Sequence, residues 1–434
     1  MLEIFTNSLW IVVSLIIFLS GLYFSIKLKF IHLNFRAMFR AINEKSDNKE
    51  SISAFKALMM SLAGRIGVGS LSGIALAVYL GGPGVLFWIW ITSLICAPST
   101  FVESVLATIF RRKDKGNIYR GGPFYYMQDG LKNKKIAIVY ALVILIAYLG
   151  GFLTMQVNTI SRCMGEVVHI HPLIVGIVIA LLTALTIFGG VKKIANTTSK
   201  LVPFMTIFYV FVCFIIIISK INLLPGVFIN IINSALNFKT FGIGILTTLL
   251  VGMQKGIFSS ELGLGTGSIV GAVADTKSPT TNGLVQTFGI HIENIILATL
   301  TVLIICLSNY QNILIIDPNG IELTLFSFGE HMGIWGPLFI VITITLFGLA
   351  TVLTGYYYGE SSLKYIKNAN KFDLTILKII TLIVIVISSI ASSNLLWQII
   401  DISVGIIAII NTYALMKLRK LVVESNKTRS KNYD

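Results

Sequence analysis

Charged residues are scarce in this sequence. Asp, Glu, Lys and Arg make up 12% of its 434 residues, about half the share usual in a soluble domain. So few charges cannot cover the surface of a water-soluble fold of this size. Cysteines are also few. Cys96, Cys163, Cys213 and Cys306 lie far apart in or beside apolar runs, which excludes a disulfide framework and any metal-ligand spacing. They read as small helix residues that tolerate apolar surroundings. There is no phosphate-binding loop and no polar stretch long enough for an ATPase domain, which argues against primary pumping. No His–Glu metal pair occurs, since His291 and Glu293 stand at strand-like spacing. An intramembrane enzyme is therefore disfavoured, no catalytic residue is assigned, and no cofactor is expected.

Apolar sequence is abundant instead: 55% of residues are hydrophobic and the mean hydropathy is +0.85. The runs are about 20 residues long without polar alternation, as helices crossing hydrocarbon require and barrel strands do not. The expected fold class is an all-α membrane protein. Eleven spans are predicted, at 8–26, 54–80, 84–110, 136–158, 172–190, 201–219, 241–270, 284–308, 334–358, 374–392 and 396–416. Met1–Asn7 holds no basic residue and no small-residue cleavage site follows, so Leu9–Ile26 is expected to be a retained span.

The net charge of +15 does not point to nucleic acid, because the charges sit in short loops between apolar runs. Segments 27–56, 111–135, 191–200, 271–283, 359–373 and the stretch after Met416 hold 28 Lys and Arg; the alternate loops hold Arg162, Lys220 and Lys239. The loop 309–333 is acidic through Asp317, Glu322 and Glu330. The positive-inside rule then places the N-terminus outside and the C-terminus inside, in a bacterial cytoplasmic membrane. Lys27–Ala41 alternates basic and apolar residues and is expected to lie as an amphipathic helix on the inner surface. The basic tail is expected to be disordered at its end.

Four regions follow: 1–53 with the first span and amphipathic segment, 54–220 and 221–416 with five spans each, and the tail 417–434. Two halves of five spans must have opposite orientation, and each begins with a polar, glycine-interrupted helix. Such a pair of interrupted helices is the best sequence pointer to a secondary transporter's binding site; the bland alternative is glycine-mediated helix packing. The first interruption is Gly64-Arg65-Ile66-Gly67-Val68-Gly69-Ser70, and the second runs from Gly252 to Gly265. Glycines in a helix interior cost about 1 kcal/mol each and let the backbone unwind. Freed amides suit a carboxylate and freed carbonyls suit a cation.

Arg65, Lys255 and Glu261 lie within these interruptions and read as structural or gating charges, or as an ion pair joining the two helices. Glu103 is close enough to Arg111 to snorkel. Glu293 and Asp401 lie deeper, as candidates for internal hydrogen bonds or proton handling. Gln156 and Asn158 could bond a substrate or bridge helices. Thr343, Thr345, Thr351 and Thr354 could offer hydroxyls to a hard cation or bond back to their own helix.

Several blocks carry a resemblance. Gly81-Gly82-Pro83-Gly84-Val85-Leu86-Phe87-Trp88-Ile89-Trp90 resembles the signature of the alanine or glycine:cation symporter family, which usually has Met where Ile89 stands. Ala63–Gly67, Tyr119–Tyr126, Met155–Asn158, Lys200–Met205, Lys255–Glu261 and Tyr356–Glu360 follow in the family's order across residues 30–415. The resemblance implies an inverted-repeat fold of the LeuT type, with one additional N-terminal helix. It implies import of a small neutral amino acid such as alanine or glycine, driven by a monovalent cation, sodium or a proton. By matched position it implies substrate contacts at Gly67, Val68, Gly69, Ser70, Gln156, Ser259, Ser260 and Gly263. It implies ion contacts at Gly64, Gly67 and Thr351. The substrate carboxylate should meet amides of Gly67–Ser70, and its ammonium should meet Ser259–Glu261. Trp88, Phe152, Phe258 and Tyr356–Tyr358 are candidates for gates or lining.

The sequence departs from the family pattern at four places near this site. Val68 and Ser70 stand where the family has Thr or Ser and Asn; Ser260 replaces an Asn and Ala350 a Ser. The family's Gly-Ser-Ala-Pro run appears as Gly265-Thr266-Gly267-Ser268. These departures motivate a rival expectation, a transporter-like sensor that binds an amino acid without moving it. They also suggest shallow sodium dependence.

Overall fold

The structure is a computed structural model that describes residues 2–44, 51–114, 116, 118–236, 243–312, 320–391 and 393–433. Lys45, Lys49, Lys115, Lys239 and Asp317 lie outside the described residues, as do the first two of the expected span 241–270. Apart from a small hairpin, β1 (Arg112–Lys113) with β2 (Tyr119–Arg120), and one bridge between Ile52 and Ala274, the described elements are helical.

The first helix, α1 (Leu2–Lys27), leads into α2 (Phe35–Ile42). The amphipathic helix expected from Lys27 starts later because Lys29 and Phe30 take left-handed backbone angles, φ 52° and 54°. Asn34 caps α2 by accepting from Ala37 N. Met38 and Ala41 are buried while Arg36 and Arg40 face outward. A bent pair follows, α3 (Ala54–Arg65) and α4 (Ile74–Gly81), joined through a π-helical turn at Gly69–Gly73 and inclined by 53°. Next comes α5 (Val85–Ile109). Gly84, just before it, packs against the start of residue 235: a Cβ there would sit 2.4 Å from Ala235 N.

After the short α6 (Pro123–Tyr125), α7 (Lys134–Leu145) and α8 (Leu153–Val168) form one long helix through a π-helical turn at Ile146–Phe152. The chain continues through α9 (Pro172–Ile187), α10 (Gly190–Ser219), α11 (Leu224–Ala235), α12 (Ile243–Ser259) and α13 (Thr266–Gly271). A further π-helical turn, His291–Leu297, joins α14 (Pro279–Ile290) to α15 (Ala298–Cys306). Then come α16 (Ile321–Met332), α17 (Trp335–Lys367), α18 (Lys371–Ile390) and α19 (Ser393–Tyr433).

Among the described residues eight helices are long and apolar enough to cross a membrane, or nine counting the bent pair as one span. Two of the eleven expected spans fall short of that length. At 16 residues α9 reaches about 24 Å, and α12, described from Ile243, has 17 residues and ends at Ser259, so Gly252–Ser259 of the expected second interruption remain helical and only the stretch after Ser259 is broken. The basic tail departs from expectation: α19 continues through it as helix. Leu418 and Val422, one turn apart, are buried there, which gives that stretch an apolar docking stripe.

Helices α3, α5, α14 and α17 lie inside, with α5 packed on α1, α12 and α14. The outer helices carry a belt of exposed apolar side chains, including Leu185 (66%), Ile207 (68%), Phe211 (61%) and Ile383 (52%). Such a belt is stable against hydrocarbon and unstable against water. The protein is a multi-pass membrane protein.

The β-hairpin is tied to the end of α17. Arg120 donates to Asp114 at 2.7 Å and to Glu360 at 3.1 Å, and Lys364 lies 3.2 Å from Glu360. Partial burial pushes the Asp114 carboxyl up, but Arg120 and the N–H groups of Gly116 and Ile118 outweigh it and hold it below its usual range.

Candidate functional site

The first interruption is shaped by contacts that only glycine permits. Ile66 leaves helical geometry at ψ 81°. A Cβ on Gly67 would sit 2.5 Å from Thr351 Oγ1 and 2.8 Å from Gln156 Oε1. The Val68 N–H donates to Gln156 Oε1 at 2.7 Å. Position 68 thus uses its backbone, and its side chain is free to be isopropyl. Gly69 is buried, yet nothing lies within 4 Å of where its Cβ would stand. Space therefore opens beside the start of the π-helical turn. Ser70 Oγ donates to Glu293 Oε1 at 2.6 Å.

Thr351 on α17 faces the carbonyls that unwinding frees. Its hydroxyl lies 2.8 Å from Ala63 O, 3.1 Å from Phe347 O and 3.5 Å from Ile66 O. The oxygens beside Thr351 therefore come from Ala63 and Ile66, the neighbours of the expected Gly64 and Gly67. Gly64 makes room for Tyr358, whose hydroxyl would lie 2.7 Å from an added Cβ. Gly67 O instead accepts from Ser70 N. Thr354 donates to Met60 O at 3.1 Å, whereas Thr343 and Thr345 bond back to Phe339 O and Val341 O.

At the second interruption α12 ends at Ser259, and Glu261, Gly263 and Gly265 take φ of 53°, 75° and 87°. Ser259 Oγ donates to Asn294 Oδ1 at 3.2 Å. Asn294 Nδ2 donates to Gly256 O at 3.0 Å and to Ser260 Oγ at 3.1 Å. Ser70 of the first interruption and Ser259–Ser260 of the second are thus held by adjacent residues, Glu293 and Asn294, on one π-helical turn. π-Helical turns are frequent at functional sites. Gly263 is placed elsewhere: its carbonyl accepts from Asn411 Nδ2 at 2.9 Å and its α-carbon faces Ile17. Phe258 stacks on Phe152, and Phe152 on Tyr148, at 5.2 and 4.6 Å between centroids. Tyr357 lies under Arg120 instead. Asn158 bridges helices, donating to Ser388 O and Ala391 O.

The charges pair differently from expectation. Glu261 accepts from Tyr148 at 2.7 Å, Tyr358 at 2.9 Å and Thr266 at 2.9 Å. Among the described residues no cation lies within ion-pair distance of it, because three hydroxyls already surround its oxygens. Arg65 donates to Gln286 O at 3.0 Å and interacts with Glu261, Glu103 and Glu293 at longer range. Its guanidinium passes between Gly267 and Gly289, where an added Cβ would come within 2.4 Å of Nη2 and Nη1. Gly289→Ala should therefore overpack this passage and cost about 1–3 kcal/mol. Thermal unfolding of the detergent-solubilised variant checks this, and an unchanged midpoint would contradict it. Lys255 interacts electrostatically with Asp401 and lies 5.5 Å from the Phe258 ring. Glu103 does not snorkel. It is 1% exposed and accepts from Asn411 Nδ2 at 2.8 Å.

Sequence reasoning passed over Asn294, Asn411 and Tyr148. The two asparagines carried a usable signal, since an amide in the middle of an apolar run demands a buried partner. Tyr148 carried none, because a tyrosine in a span is ordinarily just packed.

Residues 1–433 match the model of the sodium:alanine symporter family. The amino-acid carrier protein AlsT of Bacillus subtilis is 34% identical over 95% of this chain and 88% of its own length. The probable sodium/glutamine symporter GlnT of the same organism is 36% identical over 98% and 89%. The sodium/alanine symporter AgcS of Methanococcus maripaludis is 33% identical over 94% and 92%. Among solved structures, a Na+-coupled sialic acid symporter in an outward-open state matches with TM-score 0.53 and 12% identity, over 93% of this chain and 81% of that one. A manganese transporter of Eremococcus coleocola matches with TM-score 0.55 and 15% identity, over 87% and 82%. At those identities the likeness is one of fold.

Proposed function

The chain belongs to the sodium:alanine symporter family, and we propose that it imports a small neutral amino acid, alanine or glycine or one of similar size, by symport with sodium. The observation that carries this reading is the convergence of Thr351 Oγ1 with the carbonyls of Ala63, Ile66 and Phe347. Four oxygens meeting at an unwound helix suit a hard cation. The amino acid lies beside Gly69, between the two interruptions, with its carboxylate toward Gly67–Ser70 and its ammonium toward Ser259–Glu261. The 53° bend of the first pair and the break after Ser259 support two five-span halves of opposite orientation. In this reading α9 and α12 complete eleven spans. The excess of Lys and Arg in alternate loops supports an outside N-terminus and an inside C-terminus in a bacterial cytoplasmic membrane.

The motive for a non-transporting sensor weakens at the departing residues. Ser70 keeps a polar partner in Glu293, Ser260 keeps one in Asn294, and Val68 contributes its N–H. The test is uptake into proteoliposomes of radiolabelled alanine, glycine and glutamine, with sodium and pH varied separately. Alanine or glycine should accumulate under an inward sodium gradient and stop when the gradient is collapsed. Preferential accumulation of glutamine would overturn the substrate size. Accumulation driven by pH alone would overturn the ion, and binding without accumulation would overturn transport.

A further inference from the structure

The segment 31–44, which contains α2, runs along α14 and is fastened to it at both ends and in the middle. Glu44 accepts from the Lys277 N–H at 2.8 Å and from Thr281 Oγ1 at 3.2 Å, at the start of α14. Phe39 meets Phe288 edge-on at 5.0 Å between centroids. At the far end Phe35 lies 5.2 Å from the His291 ring, and His291 Nε2 donates to His32 O at 2.8 Å. His291 opens the π-helical turn whose Glu293 and Asn294 hold Ser70, Ser259 and Ser260. A surface segment is thereby linked to both interruptions.

The outward side of that segment carries two stripes. Phe35 and Phe39, one turn apart, are exposed, and so are Arg36 and Arg40 beside them. Phe30 and Leu33 extend the apolar stripe, and Lys27 and Lys29 add to the basic one. Exposed rings next to exposed guanidinium groups suit neither water nor hydrocarbon alone; they suit the boundary between the two. A neutral headgroup would accept the rings there but bring no net negative charge to the cations. An anionic phospholipid brings that charge, and its phosphate can take two parallel N–H bonds from one arginine. Glu44, the one acidic residue between 27 and 44, is already engaged with α14.

Resting on the orientation and symport readings above, we propose that α2 binds anionic phospholipid of the inner leaflet, and that this binding steadies the π-helical turn and raises the transport rate. Lipid that holds Phe35, Arg36, Phe39 and Arg40 at the boundary keeps the His32 carbonyl in place for His291. The lipid is then a regulator that acts from the inner surface and never enters the transport path.

The test has a binding arm and a transport arm, both on the full chain. Detergent-solubilised protein is titrated with short-chain phosphatidylglycerol and, separately, with short-chain phosphatidylcholine, and thermal unfolding is the readout. Phosphatidylglycerol should stabilise the wild type at the lower concentration. The double variant Arg36→Gln with Arg40→Gln should need about thirtyfold more of it, because each basic residue at an anionic surface contributes about fivefold. Phosphatidylcholine should act alike on both proteins. In proteoliposomes of phosphatidylcholine, alanine uptake by the wild type should rise with the share of phosphatidylglycerol, and uptake by the double variant should stay level. His291→Phe keeps a ring against Phe35 and loses the bond to His32. It should bind phosphatidylglycerol as the wild type does, with uptake that no longer responds. Equal action of the two lipids on the wild type, or wild-type affinity in the double variant, would overturn the binding. An uptake response of equal size in all three proteins would overturn the control of transport. Absence of sodium-driven accumulation in every lipid would sink the symport reading and the control with it, while the titrations would still decide the binding.

Discussion

Thr351→Val is expected to raise the sodium concentration needed for half-maximal uptake by about thirtyfold. Valine keeps the volume and removes one oxygen. Contacts between a hydroxyl and a charged group are worth about 2 kcal/mol, which corresponds to that factor. The carbonyls of Ala63 and Ile66 also lose the hydroxyl that faces them. Ala350 cannot substitute, because it carries no oxygen on its side chain. Thr351→Ser keeps the oxygen and should stay within a few-fold of wild type. The measurement is sodium titration of alanine uptake in proteoliposomes for all three proteins. A valine variant with wild-type sodium dependence would remove the cation from this position.

Glu261→Ala is expected to prevent accumulation of folded protein. The carboxylate gathers Tyr148 from the π-helical turn before α8, Tyr358 from α17 and Thr266 from α13. Each hydroxyl left buried without a partner costs about 1–3 kcal/mol. Three of them approach the whole stability of a typical domain, about 5–15 kcal/mol. Glu261 also holds a left-handed backbone angle, a conformation that persists where surrounding contacts over-determine it. Glu261→Gln keeps the shape and one acceptor oxygen, so it should fold with a lowered unfolding midpoint. Fluorescence size-exclusion profiles and thermal unfolding distinguish the cases. An alanine variant with a wild-type profile and midpoint would show that the three hydroxyls find other partners.

Much of the site was legible because backbone and burial constraints act locally. Glycine at 64, 67 and 69 announced an unwound segment, and the structure places Gly67 where a Cβ would strike Thr351 and Gln156. Gln156 and Thr351 were legible as polar residues in apolar spans. The roles of Gly64 and Gly263 were not. Spacing shows that a glycine is needed but not whether its space or its carbonyl is used. Here Gly64 makes room for Tyr358, and Gly263 turns toward α1. The departures at 70 and 260 looked like lost polarity. Partners from a turn more than 30 residues distant restore it, through Glu293 and Asn294.

The sequence alone determined that this is a helical membrane protein, that two of its helices are interrupted near Gly67 and Gly263, and that Arg65, Lys255 and Glu261 are buried. These follow from hydropathy, glycine content and the cost of charge in hydrocarbon, all of which act along the chain. Tertiary structure decided which buried groups meet. Glu261 faces three hydroxyls instead of a cation, Glu103 turns to Asn411 instead of the surface, and Glu293 keeps a bare oxygen beside Ser70. Partner choice depends on the relative placement of α3, α12, α14 and α17, and side chains far apart in sequence become neighbours only once those helices have packed.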